Sequence, residues 1–295
     1  PHPGAHAPPP CPQGAAAHHD PPPSQLGHGL DPLVEPGITA ETDGPTADLT
    51  SESVLESCIS LMERAGPSCV AVKPQLASFE RLGWRGFRVL EQVCLAAREL
   101  GLMVIADGKR GDVPVSAKAY ADALTVEGLG SLVDAFTVNP FTGADSIEPF
   151  VEAAERSGSG IFVLVRTSNP GAADFQDLVF DGSPLFEHVA RVIERFAGRL
   201  EGSCGLSGMG AVVGATEPAH LGQVREILPK SIFLIPGVGA QGGRPEDLAD
   251  AFASGRASAL VNASRSIAGA DDPALAAEEL RKTLWEVSGA RSRSG

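Results

Sequence analysis

The chain holds few cysteines, and none in a pairable or metal-binding pattern. Cys11, Cys58, Cys69, Cys94 and Cys204 are odd in number and include no Cys-x-x-Cys, which speaks against both a disulfide framework and a structural zinc site. Three of the five sit in apolar segments and read as small buried hydrophobes. No apolar run approaches the ~18 residues of a membrane span. The first residues lack an initiator methionine and the basic-then-apolar order of a secretory leader. These absences predict a protein of the reducing cytoplasm with no membrane partner. Positive charge is scarce as well: 23 Lys and Arg against 37 Asp and Glu leave −14 net at pH 7. That balance argues against a polyanion-binding surface and so against nucleic acid as a partner, although one local basic site can still hold a small phosphate.

What is present has the scale of one large α/β barrel or two ordinary domains: 295 residues, 43% of them hydrophobic. Residues 1–23 carry nine prolines and four histidines with no period of 2 or 3.6, so they are expected to be a disordered tail. Residues 288–295 read as a second short tail, which leaves 24–287 as the folded unit. Within it, eight apolar runs of strand length recur: Gln25–Leu30, Cys69–Val72, Leu102–Ala106, Ala135–Val138, Ile161–Val165, Gly210–Val213, Ile232–Ile235 and Ala259–Val261. The segments between them are mostly amphipathic. Residues 86–100, for example, place apolar residues at i, i+3, i+4 and i+7, as a helix packed on a sheet requires. The stretch 36–50 reads instead as loop. Eight strand-plus-helix units predict a closed (β/α)8 TIM barrel.

In such a barrel the chemistry gathers where the strands end. Here each run is followed by a polar or Gly/Pro-rich motif: Asp31-Pro32, Lys73-Pro-Gln75, Asp107 to Asp112, Asn139-Pro140, Thr167 to Gly171, Gly214 to Thr216, Pro236 to Gln241 and Asn262 to Arg265. The third is the most informative, because Asp107-Gly-Lys109-Arg110-Gly-Asp112 sets charges of alternating sign at the rim of an apolar strand. Desolvation makes such charges costly unless they pair or work. The seventh and eighth motifs, Pro236-Gly-Val-Gly-Ala-Gln241-Gly-Gly and Asn262-Ala-Ser-Arg265-Ser, supply close-approaching glycine amides and a guanidinium where this fold holds phosphate. His28 is out of phase with Asp31 on the first strand and reads as a packed or strained histidine rather than a catalyst.

These motifs, Asp107-x-Lys109-x-x-Asp112, Lys73-Pro-Gln75, Asp31, the Thr167 to Ala172 loop, the glycine-rich seventh loop and Ser264-Arg265-Ser-Ile, closely resemble orotidine 5′-monophosphate decarboxylases of the bacterial, mycobacterial-type subgroup. The resemblance runs from about Ser24 to about Ala268. It implies cofactor-free conversion of orotidine 5′-monophosphate to uridine 5′-monophosphate and carbon dioxide, the last step of de novo pyrimidine nucleotide synthesis, with no metal. By the same resemblance Lys109 is the proton donor to C6, Asp107 and Asp112 flank it, and Lys73 bridges Asp107 and the ribose. Asp31 binds ribose hydroxyls, Ser168 reads the pyrimidine, and Gln241 and Arg265 contact the phosphate. Asp112, with Ser116 following it, is expected to complete the active site of a neighbouring subunit, which implies a homodimer with shared sites.

The chain departs from the family pattern at Gly108, usually alanine, at Pro114, commonly glycine, at Ser116, commonly threonine, and in the Pro/His stretch that stands where a helix usually precedes strand one. Two alternatives remain open. One is a related metal-dependent sugar-phosphate lyase or aldolase, which needs an acidic ligand near the end of strand one or two and typically threonine after the lysine, where this chain has Lys73-Pro-Gln75 and Arg110. The other is an inactive phosphate-binding barrel, against which the retention of Lys73, Asp107, Lys109 and Asp112 argues.

Overall fold

A computed structural model of the chain describes residues 24–30, 45–126 and 128–290. Eight parallel strands close into a barrel: β1 Leu26–Leu30, β2 Ala71–Pro74, β3 Met103–Arg110, β4 Ala135–Val138, β5 Gly160–Arg166, β6 Ser207–Val213, β7 Ser231–Pro236 and β8 Ala259–Ala263. Each strand pairs with its neighbours in sequence, and β8 closes on β1 through Leu26 opposite Val261. The expected (β/α)8 barrel is therefore the fold.

Alternation along the strands makes two cores. Ala71, Ile105, Ala135, Phe162, Val212, Leu234 and Leu260 point inward and plug the barrel. The other strand faces meet the helices in a second, larger core that includes Leu26, Val72, Val104, Phe136, Val163 and Phe233. His28 is buried on β1 between Leu26 and Leu30, both members of that outer core, which is the packed position its phase predicts. The helix Gly83–Glu99 buries Val89, Leu90, Val93, Cys94 and Ala97, a stripe of helical period facing the sheet.

Three expectations are corrected. Residues 45–50, expected as loop, open helix α1, Pro45–Ala65; a proline in the first turn is tolerated because the N–H it lacks has no partner there anyway. Residues 288–290, expected in a tail, belong to the last helix, Pro273–Ala290, where Ser288 is buried and accepts a hydrogen bond from Arg256. Third, β3 does not stop at Ala106 but continues to Arg110, so Asp107, Lys109 and Arg110 of the charged motif lie in the strand itself. The remainder of the expected tails, 1–23 and 291–295, lies outside the described residues.

Candidate active site

The site grows from the plug by one step of the pleat. Side chains two residues apart on a strand share a face, so the residues one step past the plug toward the strands' C-terminal ends also point inward. Ala71 is followed by Lys73, Ile105 by Asp107, Ala135 by Thr137 and Leu260 by Asn262. An apolar layer thus gives way to a polar one. The side chains of Lys73 and Asp107 are only 7% and 5% exposed, whereas Lys109 is 40% exposed and faces the open end.

Lys109 reaches that position through a bulge. Ala106 pairs with Phe136 and Arg110 with Val138, so Asp107, Gly108 and Lys109 together face the single residue Thr137. Lys109 takes a left-handed backbone conformation, φ 46°, which costs a residue with a Cβ about 1 kcal/mol or more. The bulge also takes its N–H out of the strand ladder, and Thr137 Oγ1 accepts that hydrogen bond at 2.8 Å.

The Asp107 carboxylate receives four donors. Oδ1 accepts from Lys109 Nζ at 2.6 Å and Thr137 Oγ1 at 2.9 Å. Oδ2 accepts from Lys73 Nζ, with which it forms a buried ion pair, and from Gln75 Nε2 at 3.4 Å. Burial alone would raise the pKa of this carboxyl, but the two ammoniums overcome it and hold Asp107 down at about 2. It is therefore a fixed negative charge between two cations throughout the neutral range.

A second cluster forms where the loops after β5, β7 and β8 meet. Ser168 Oγ donates to Gln241 Oε1 at 2.6 Å. The contact needs Gly237, whose φ is 99° and where a Cβ would stand 2.9 Å from that of Ser168. Gly239, φ 76°, likewise leaves room for Ser266, 2.9 Å from where its Cβ would be. Arg265 follows Ser264 at the start of a short helix, Arg265–Ala268, and is exposed at this corner. The loop carrying Ser168 is clasped at its base. Arg166, buried at the end of β5, donates twice to Asp177 at 2.7 and 2.9 Å, and Gln176 Oε1 accepts from the Thr167 N–H at 2.7 Å. This arrangement offers a guanidinium and the Gln241 amide to an anion, with the Ser168 hydroxyl beside that amide suited to a polar ring edge.

Of the residues named from sequence, Lys73, Asp107 and Lys109 meet in one network, and Ser168 and Gln241 meet in another. Asp112 is not part of the first network within this chain. Its Oδ1 accepts from the N–H of Val113 at 2.7 Å, just before the helix Pro114–Thr125, on which Ser116 is half-buried. Asp31 lies outside the described residues. Among the described residues no group of three or more His, Cys, Asp or Glu side chains is placed to hold a metal ion. Sequence reasoning passed over Thr137, which sits inside an apolar strand with nothing to mark it. It also passed over the Arg166 and Asp177 clasp, whose members lie eleven residues apart. Asn262, buried beside the site, keeps an Oδ1 with no hydrogen-bond partner among the described residues.

Comparison with known proteins bears on this geometry. A family model described as orotidine 5′-phosphate decarboxylase / HUMPS matches residues 41–280. The orotidine 5′-phosphate decarboxylase of Deinococcus radiodurans is 46% identical over 213 residues, covering 72% of this chain and 76% of the relative. That of Rhodopirellula baltica is 42% identical over 256 residues, 81% and 82% of the two chains. Among solved structures, Leishmania donovani OMP decarboxylase superposes with a TM-score of 0.75 at 33% identity, over 90% of this chain and 95% of that one.

Proposed function

The chain belongs to the orotidine 5′-phosphate decarboxylase / HUMPS family, and from that membership together with the site we infer how it works. The reaction is decarboxylation of orotidine 5′-monophosphate to uridine 5′-monophosphate and carbon dioxide, in pyrimidine biosynthesis, by a cofactor-independent carboxy-lyase. Both relatives carry the decarboxylase name, which favours this activity over the other half of the family description.

The observation that carries the site assignment is the buried Lys73, Asp107 and Lys109 network. The bond from C6 to the carboxylate breaks with its electron pair left on C6, in an sp² orbital that the ring cannot delocalise, and carbon dioxide departs. Catalysis then depends on a preorganised cation at that carbon and on a proton for it. Lys109 supplies both: its ammonium stabilises the developing charge, its proton forms the new C6–H bond, and water reprotonates the amine afterwards. Asp107 holds both ammoniums in place and sets a like charge against the departing carboxylate. Lys73 reaches the ribose, with Asp31 on its hydroxyls. Ser168 reads the pyrimidine, and Gln241 and Arg265 take the phosphate at the glycine-rich corner.

The assembly in this reading is a homodimer in which Asp112 and Ser116 complete the partner's site. Val113, Val115 and Phe141 support it, because Val115 is 85% and Phe141 90% exposed beside Asp112, an apolar surface that water does not favour. A reducing, cytoplasmic setting is supported by Cys58, Cys69 and Cys94, all buried as free thiols. No described helix is long and apolar enough to cross a membrane.

The test is a spectrophotometric assay of orotidine 5′-monophosphate loss with and without a chelator. The wild-type protein is expected to turn over equally in both. Lys109→Ala should fold yet lose nearly all activity. Lys109→Arg should not rescue it, since a guanidinium with a pKa above ~12 is a poor proton donor. Retention by Lys109→Arg of more than about a tenth of wild-type kcat, a barrier increase under ~1.4 kcal/mol, would remove Lys109 from the role of donor.

A further inference from the structure

We propose that Thr137 is a positioning residue for the decarboxylation, its hydroxyl fixing the backbone of Lys109 and the carboxylate of Asp107 in one geometry. The proposal rests on the reading of Lys109 as proton donor. Its basis is a closed ring of hydrogen bonds. The Lys109 N–H donates to Thr137 Oγ1 at 2.8 Å, Thr137 Oγ1 donates to Asp107 Oδ1 at 2.9 Å, and the same oxygen accepts from Lys109 Nζ at 2.6 Å. The two ends of the lysine are thereby tied to one another through one hydroxyl and one carboxylate oxygen.

The ring answers a specific structural need. Across the bulge three residues of β3 face only Thr137 on β4, the Lys109 N–H is met by that residue's side chain, and the lysine backbone sits at φ 46°. A backbone in that region persists only where its surroundings over-determine it. Thr137 is almost fully buried, and its hydroxyl supplies an acceptor for that N–H. A hydroxyl is one of the few neutral side-chain groups that can accept from an amide and at the same time donate to a carboxylate. Its one proton is committed to Asp107, and so its lone pairs are left for Lys109. Being β-branched on a strand, Thr137 holds that hydroxyl in a narrow range of χ1. Serine could make the same two bonds with less restraint; valine, its isostere, could make neither.

In consequence, loss of the hydroxyl should harm the transition state more than substrate binding, because the phosphate and pyrimidine contacts come from other loops. Thr137→Val is expected to lower kcat at least about tenfold, a barrier increase of about 1.4 kcal/mol, while KM for orotidine 5′-monophosphate and the Kd of uridine 5′-monophosphate stay within about threefold. Thr137→Ser should recover most of the loss in kcat. Should Thr137→Val fail to fold, Thr137→Ala is measured against the same criterion. A folded variant that keeps kcat within twofold of the active wild type overturns the proposal. So does one in which kcat and KM worsen together and serine restores neither, since that is the signature of general structural damage. If the wild-type protein itself does not consume the substrate, it is the decarboxylase reading that falls, and this proposal with it.

Discussion

At the scale of single residues, Asp107 shows how a charge becomes affordable inside a barrel. Four donors saturate its oxygens, and Lys73, equally buried, has its counterion there. Removing one partner of such a pair leaves the other charge uncompensated, which is what makes buried pairs costly to break. Asp107→Asn is therefore expected to destabilise the protein by about 3 kcal/mol at pH 7, measured by urea unfolding. The carboxyl also links stability to acid. Folded, it titrates near 2 against an ordinary value of 3.8, so the unfolded chain binds more protons. The stabilisation, of order 2 kcal/mol, is complete above about pH 5 and is lost as pH falls from about 4 to about 2. Glu278, also held to about 2, chiefly by its hydrogen bond from Arg281, contributes to wild type and variant alike and cancels in their difference. The stability gap between wild type and Asp107→Asn should accordingly narrow through that window. A gap that does not change with pH would show that the carboxylate charge is not what stabilises the site.

At the scale of elements, the two ends of the barrel do different work. The C-terminal ends of the strands carry the polar network, while Arg225 secures the other end. It lies on the helix Pro218–Ile227, with its guanidinium 3.6 Å from the centre of the Phe233 ring. From there it donates to the carbonyls of Leu228, Ser231, Ala251 and Ser258 at 2.6 to 2.9 Å. These acceptors lie just before and at the start of β7, within the 3-10 helix Pro245–Phe252 and before β8, so one side chain ties three parts of the chain together. Arg225→Met should cost about 3 kcal/mol or more in urea unfolding, because buried carbonyls lose a charged donor. It should leave KM nearly unchanged in native buffer, since Ser231 opens β7 and the site lies past its other end. A large rise in KM would mean that the two ends of the barrel are coupled. The strands themselves were visible as apolar runs, but their polar upper ends were not. Periodicity of apolar residues stops reporting where Lys73, Asp107 and Asn262 begin, although β2, β3 and β8 continue through them.

At the scale of the whole molecule, the charged series named from the sequence does not close within one chain. The alternating series Lys73, Asp107, Lys109 and Asp112 reads as continuous in sequence, yet only its first three members meet here, and Asp112 turns to the Val113 N–H. With the exposed Val113, Val115 and Phe141 around it, this fits a carboxylate donated across a dimer. Mixing Lys109→Ala with Asp112→Ala subunits should then regain activity in the heterodimer, in which one of the two sites is intact. If heterodimers form, as tagged purification would show, and stay as inactive as their parents, the sites are not shared.

The sequence by itself determined the barrel, the order of its strands and the members of both clusters that carry a recognisable motif, because apolar period and charged signature are local properties that a chain displays before it folds. Only the tertiary structure decided the part of Thr137. That residue is undistinguished inside its strand, and its role comes from a register shift between β3 and β4 that sets one side chain against three. It likewise decided that Arg166 clasps Asp177 and that Ser168 meets Gln241 across 73 residues. Whether a hydroxyl or a guanidinium has a partner depends on which strands and loops become neighbours, and closure of the barrel settles that for all of them together.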